Sequence, residues 1–139
     1  MLTDASTLPI HRLSFKAMGS ACEVVLTANT APEAEALAKV AIDEVLRIER
    51  KYSRYTSSSI VAQINKQAGQ GAVACDAETW SLFQFASQLF EKSEGLFDIT
   101  SGVLRQAWDF RQPQLPSAQQ LANLLPLIGW HHVILKDQT

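Results

Sequence analysis

Cysteine is scarce: the 139 residues hold only Cys22 and Cys75. They lie about fifty positions apart, each in a short apolar run, and no CxxC or Cys/His spacing accompanies them. That argues against a metal site or a redox pair and predicts two buried thiols. His131 and His132 are adjacent, which on a strand would send their side chains to opposite faces, so they do not form a ligand cluster either. Basic excess is also missing. A net charge of −2 and a pI near 5.9, with no basic stripe, give no electrostatic footprint for nucleic acid. No window approaches the ~18 consecutive apolar residues that a bilayer-spanning helix needs. The start, Met1-Leu2-Thr3-Asp4, lacks the charged-then-apolar pattern of a signal peptide. The expectation is a cytoplasmic protein, or one whose export segment is not part of this sequence. Repeats and low-complexity segments are absent, and the Ser57 to Ser59 run lacks the glycines of a phosphate cradle, so it reads as a solvated cap.

What is present is globular in kind. Hydrophobic residues make up 47% and charged residues 19%, and the mean hydropathy is near zero, as in soluble single domains with a core of their own. Residues 10 to 17 alternate with Leu13, Phe15 and Ala17 on one face. Residues 22 to 27 alternate again with Cys22, Val24 and Leu26, so two strands joined at Met18-Gly19-Ser20 are predicted. Thr30-Ala31-Pro32-Glu33 reads as a capping box opening a helix over about 31 to 51, with Leu37, Val40, Ala41, Val45 and Ile48 as its apolar stripe. The loop 52 to 59 ends in an N-cap for a short helix whose buried side is Ile60, Val61 and Ile64.

Ala72 to Cys75 reads as a brief strand, and Asp76 caps a second long helix. Its arc of Trp80, Leu82, Phe83, Phe85, Ala86, Leu89 and Phe90 is wide enough to require cover on more than one side. Gly95 suits the helix C′ position, leaving Leu96 to Thr100 extended. Ser117 and Gln120 form another capping box before Leu121, Leu124 and Leu125, and Val133-Ile134-Leu135 begins a last strand. The order favours an α+β fold with a mixed or antiparallel sheet and packed helices over a doubly wound one. That last strand has no following partner. Either it pairs with residues 10 to 17 or 22 to 27, or further chain follows Thr139; a bare edge there would also invite self-association.

One residue needs a reason. Asp98 stands between Phe97 and Ile99 in an apolar run bounded by Gly95 and Gly102, and an isolated carboxylate is costly to bury. It either caps its own turn through the N–H groups of Thr100 and Ser101 or faces a ligand. Trp108 and Phe110, at strand spacing, read as core.

Four separated segments carry a resemblance. They are Ala17-Met18-Gly19-Ser20, then Tyr52-Ser53-Arg54-Tyr55 leading through Ser58-Ser59-Ile60 to Ile64-Asn65, then Gly95-Leu96-Phe97-Asp98-Ile99-Thr100, and Leu104 with Trp108-Asp109-Phe110. In this order and spacing, from about residue 13 to 135, the chain resembles the N-terminal half of the ApbE family, FAD:protein FMN transferases once called thiamine-biosynthesis lipoproteins. The resemblance implies the N-terminal portion of a T-fold-like α+β domain. It implies an enzyme that binds FAD with Mg²⁺, cleaves the pyrophosphate, joins FMN through a phosphoester to a threonine of a target flavoprotein, and releases AMP. Carried over by position, Met18 and Tyr55 line the FAD site, and Leu96, Phe97 and Asp98 form a segment against it. A flavin or adenine ring needs flat apolar walls and a few fixed polar groups, which these side chains can supply.

The departures are as informative. Members of the family are about twice as long and are often exported and membrane-attached. Their later half carries an Asp-Leu-Gly-Gly-like turn with a Lys-Gly pair, a His-Ile-Asp-Pro-like segment and the acidic and threonine ligands for Mg²⁺. None of these occurs here, so neither a catalytic residue nor a metal ligand is assigned in this chain. Cleaving a pyrophosphate needs a metal or cationic clamp. The expectation is a binding portion without transfer activity of its own; the rival is a complete non-catalytic module that binds a nucleotide or a partner subunit.

Overall fold

The computed structural model describes residues 8–109, 111–112 and 114–136. Among them the chain is α+β and divides after Ala74 into two compact units. The first unit is a hairpin against helices. β1 (Ile10–Ala17) and β2 (Ser20–Thr27) run antiparallel with Leu13 opposite Val24 and Phe15 opposite Cys22. β2 starts two residues earlier than the alternation suggests, because the connection is only Met18-Gly19. Both residues have positive φ, 53° and 74°, as a two-residue turn matched to the strand twist requires. Glycine adopts this freely; for Met18 the left-handed region costs about 1–2 kcal/mol. Side chains alternate as expected, with Leu13, Phe15 and Ala17 turned inward and Ser14 and Lys16 outward.

Helix α1 (Ala31–Tyr52) packs on both strands. Its N-terminus forms half of the expected capping box. Thr30 accepts from Glu33 N at 3.3 Å, but the Glu33 carboxylate accepts from Asn29 N at 2.9 Å, one residue before the cap. The buried stripe also differs from the predicted one. Ala34 and Ala38 are the buried positions, whereas Leu37 and Val40 are 52% and 71% exposed. One residue is about 100° of helix rotation, and the small alanines allow close approach to the hairpin, so the stripe is turned by one step in the first half of the helix, while Val45 and Ile48 are half-buried. Helix α2 (Ile60–Gln67) also packs against α1. Its N-cap, Ser59, is buried; Oγ accepts from Ala62 N at 3.0 Å and donates to Ser53 O at 2.5 Å. Ser59→Ala removes both bonds and should cost about 1–2 kcal/mol, measured as a loss of unfolding free energy in urea.

No strand forms over 72–75. In the second unit, Asp76 caps α3 (Ala77–Lys92), accepting from Thr79 N at 2.9 Å. Thr79 and Ala86 are buried and Phe83 and Phe90 half-buried, while Leu82 and Phe85 stay 48% and 57% exposed, so the wide apolar arc is covered on one side only. At the helix end Glu94, not Gly95, takes the C′ place with φ 53°. Glu94 N bonds Glu91 O and Gly95 N bonds Phe90 O, the paired pattern of a Schellman stop. Of the stretch expected to be extended, Leu96 and Phe97 form a bend and Asp98 alone is extended. A 3₁₀ helix (Ile99–Gln106) follows at once, then α4 (Ala118–Leu124) with its Ser117/Gln120 capping box formed in both directions. Leu125 falls outside α4, in a 3₁₀ turn with Pro126. Trp108 is half-buried, and Phe110 lies outside the described residues. Val133 to Leu135 joins no ladder among the described residues, where the sheet has only β1 and β2.

Candidate functional site

The candidate residues fall in both units, Met18 and Tyr55 in the first and Leu96, Phe97 and Asp98 in the second. Within the first, the short turn places Met18 outside the inward-facing row of the hairpin, with the residue 60% exposed. Its backbone N–H, free of the strand ladder, donates to Glu49 Oε1 of α1 at 2.7 Å. Tyr55 is 74% exposed on the loop between α1 and α2. That loop is held closely: Ser53 N donates to Glu49 O at 2.8 Å, Tyr55 N to Ser53 Oγ at 3.2 Å, and buried Ser59 closes it through Ser53 O. The exposed side chains of Met18 and Tyr55 therefore stand on hydrogen-bonded backbone.

In the second unit the Schellman stop aims the chain into a turn held by Ser93, whose Oγ accepts from Phe97 N at 2.9 Å. Leu96 is 93% exposed and Phe97 43%. Asp98 caps the 3₁₀ helix. Oδ1 accepts from Thr100 N at 2.8 Å and Thr100 Oγ1 at 2.7 Å, and Oδ2 accepts from Trp130 N at 3.0 Å. Thr100 Oγ1 in turn accepts from Gly129 N at 2.8 Å, and Trp130 Nε1 donates to Ser87 Oγ at 3.0 Å. Turn capping, one of the two readings of Asp98, is thus present. It extends further than expected, tying residues 129 and 130 to the start of the 3₁₀ helix. A carboxylate offers about four acceptor positions, and three are taken.

Of the two expected donors, Thr100 N reaches the Asp98 carboxylate while Ser101 N bonds the Asp98 carbonyl instead, and no sequence pattern pointed to the roles of Gly129, Trp130 or Glu49. Thr100 had a local signal, since a threonine two residues after an aspartate commonly shares its turn. The pairing of Asp98 with Trp130, 32 residues away, had none. Cys22 and Cys75 remain thiols but are half-buried, not fully buried. Burial first, then the Asp76 carboxylate, raises the Cys75 thiol above its usual value. Cys75 should accordingly react with iodoacetamide more slowly at pH 8 in the folded chain than in urea, because less thiolate is present. His131 and His132 do not point to opposite faces. They lie in a 3₁₀ turn (Trp130–His132), and their rings meet with centroids 4.0 Å apart. Asp109 accepts from Arg111 through its backbone N and its guanidinium, which holds the carboxyl below its usual value.

In each unit, exposed apolar or aromatic side chains stand on backbone pinned by buried or charge-assisted bonds. This defines an α+β protein with exposed apolar residues in each of its two units. The chain belongs to the ApbE family, which it matches over residues 18–139. It is 28% identical over 91 residues to the FAD:protein FMN transferase of Buchnera aphidicola, covering 63% of this chain and 27% of that protein. Its fold is similar to that of the ApbE protein of Thermotoga maritima, with a TM-score of 0.81 and 26% identity, over 93% of this chain and 42% of that one. The flavin transferase ApbE of Vibrio cholerae has the same fold at 19% identity, with a TM-score of 0.80 over 94% of this chain and 44% of that one. The chain spans less than half the length of each of these relatives.

Proposed function

We propose that the chain supplies one wall of the FAD site of a flavin transferase, an enzyme that moves FMN from FAD to a threonine of a target flavoprotein with Mg²⁺ and releases AMP. The observation that carries this reading is the exposure of Met18, Tyr55, Leu96 and Phe97 on pinned backbone. These are among the positions that the family resemblance implies for FAD contact, which supports the reading. Covering exposed apolar groups with a flat ring removes apolar surface from water, and a backbone already held in place limits the ordering cost to the side chains. In this reading Asp98 holds the segment in shape, and the acceptor position left on its carboxylate takes a donor from the ligand.

Mg²⁺ fits this chain less well. Among the described residues no three His, Cys, Asp or Glu side chains come together as a ligand set. No step through the metal is therefore assigned to these residues; its ligands are proposed to lie in sequence corresponding to the later half of the relatives. Incubated with FAD, Mg²⁺ and an acceptor flavoprotein, the purified 139-residue chain should bind FAD weakly and release no AMP. Magnesium-dependent AMP release above a no-protein control would show that the chain is catalytic on its own.

A further inference from the structure

We propose that Glu49 is a positioning residue for flavin binding, holding Met18 through its side chain and the Tyr55 loop through its main chain. The proposal rests on the FAD reading above and adds to it a residue that does not itself touch the ligand. Met18 occupies a backbone conformation that a side-chain-bearing residue disfavours, φ 53°, at a two-residue turn where asparagine or aspartate is usual. Something must hold it there. Its N–H lies outside the strand ladder, and Glu49 Oε1 accepts it at 2.7 Å, the length of a charge-assisted bond. Glu49 is half-buried on the last turns of α1, 31 residues further along the chain. Its carbonyl oxygen accepts from Ser53 N at 2.8 Å as α1 ends, and Ser53 Oγ accepts from Tyr55 N. One residue thereby bonds the backbone at or near both candidate site residues of the first unit, Met18 and Tyr55. Without the carboxylate the turn keeps its hairpin but loses the contact that sets the direction of Met18.

The test is NMR on the labelled 139-residue chain with free FAD as the probe. In the wild type the Met18 amide should be protected from exchange, and FAD should shift the Met18 methyl signal saturably. Glu49→Ala should lower the amide protection and the FAD affinity each by about tenfold, the scale of one charge-assisted hydrogen bond. At saturating FAD the Leu96 methyl shift should persist while the Met18 shift is lost, a local effect that general destabilisation would not produce. Glu49→Gln keeps an acceptor oxygen in place and should restore both. Should Glu49→Ala fail to fold, Glu49→Asp, one methylene too short to reach, replaces it with the same expected losses. An unprotected Met18 amide in the wild type overturns the proposal, as does lost protection with unchanged FAD affinity. A protected Met18 amide in a wild type that binds no FAD overturns instead the site reading beneath it, and the positioning role falls with it.

Discussion

Asp98→Ala should destabilise the second unit by about 2–4 kcal/mol, since it removes an N-cap and leaves three donors without their acceptor, at about 1–3 kcal/mol for each donor left unsatisfied and with partial recovery by water. Thr100 N, Thr100 Oγ1 and Trp130 N all depend on this carboxylate. Asp98→Asn should fall between. Its amide oxygen can keep Thr100, but its NH₂ then faces the Trp130 N–H, donor against donor. Urea unfolding followed by tryptophan fluorescence reads both, because Trp130 sits at the affected junction and packs 6.4 Å from the Phe83 ring. A loss below about 0.5 kcal/mol, the level of an ordinary surface substitution, would mean the network does not hold the segment.

Gly129→Val should cost about 2–3 kcal/mol, the upper part of the range for a side chain forced into a glycine-only backbone region. Gly129 has φ 153°, and a Cβ there would stand 2.2 Å from the His131 ring. The exposed ring can swing aside, but the backbone strain cannot be relieved in this way. Since Gly129 N donates to Thr100 Oγ1, the substitution acts on the junction that Asp98 holds. The double variant should therefore lose less than the sum of the single losses, as expected for residues sharing one network. Strict additivity would show that the two residues act separately.

These residues also mark how far the sequence could be read. Local chemistry was legible: Thr30, Ser59, Asp76 and Ser117 all cap helices where the sequence places them, and the strand alternation from Leu13 to Ala17 holds. Periodicity was legible only in part. In α1 several overlapping apolar stripes exist, and which one is buried depends on how closely the hairpin approaches, so Ala34 and Ala38 displaced Leu37 and Val40. Short apolar runs were the least legible. Val133 to Leu135 reads as a strand from its apolar, β-branched residues, yet it has no ladder partner among the described residues. The site followed the same division. The turn cap of Asp98 is local and was readable; its reach to Trp130 and the hold of Glu49 on Met18 are tertiary and leave no pattern in sequence. The exposure of Leu96 and Phe97 was also unreadable, because apolar residues ahead of a helix look the same whether they face a core or a ligand.

The proposed function requires that Met18, Tyr55, Leu96 and Phe97 meet FAD. The direct measurement is chemical-shift mapping of the labelled chain during FAD titration. The predicted result is a set of saturable shifts confined to those four residues and the backbone around Asp98. No saturable shift, or shifts centred on other exposed apolar residues such as Leu37 and Val40 or Leu82 and Phe85, would contradict it.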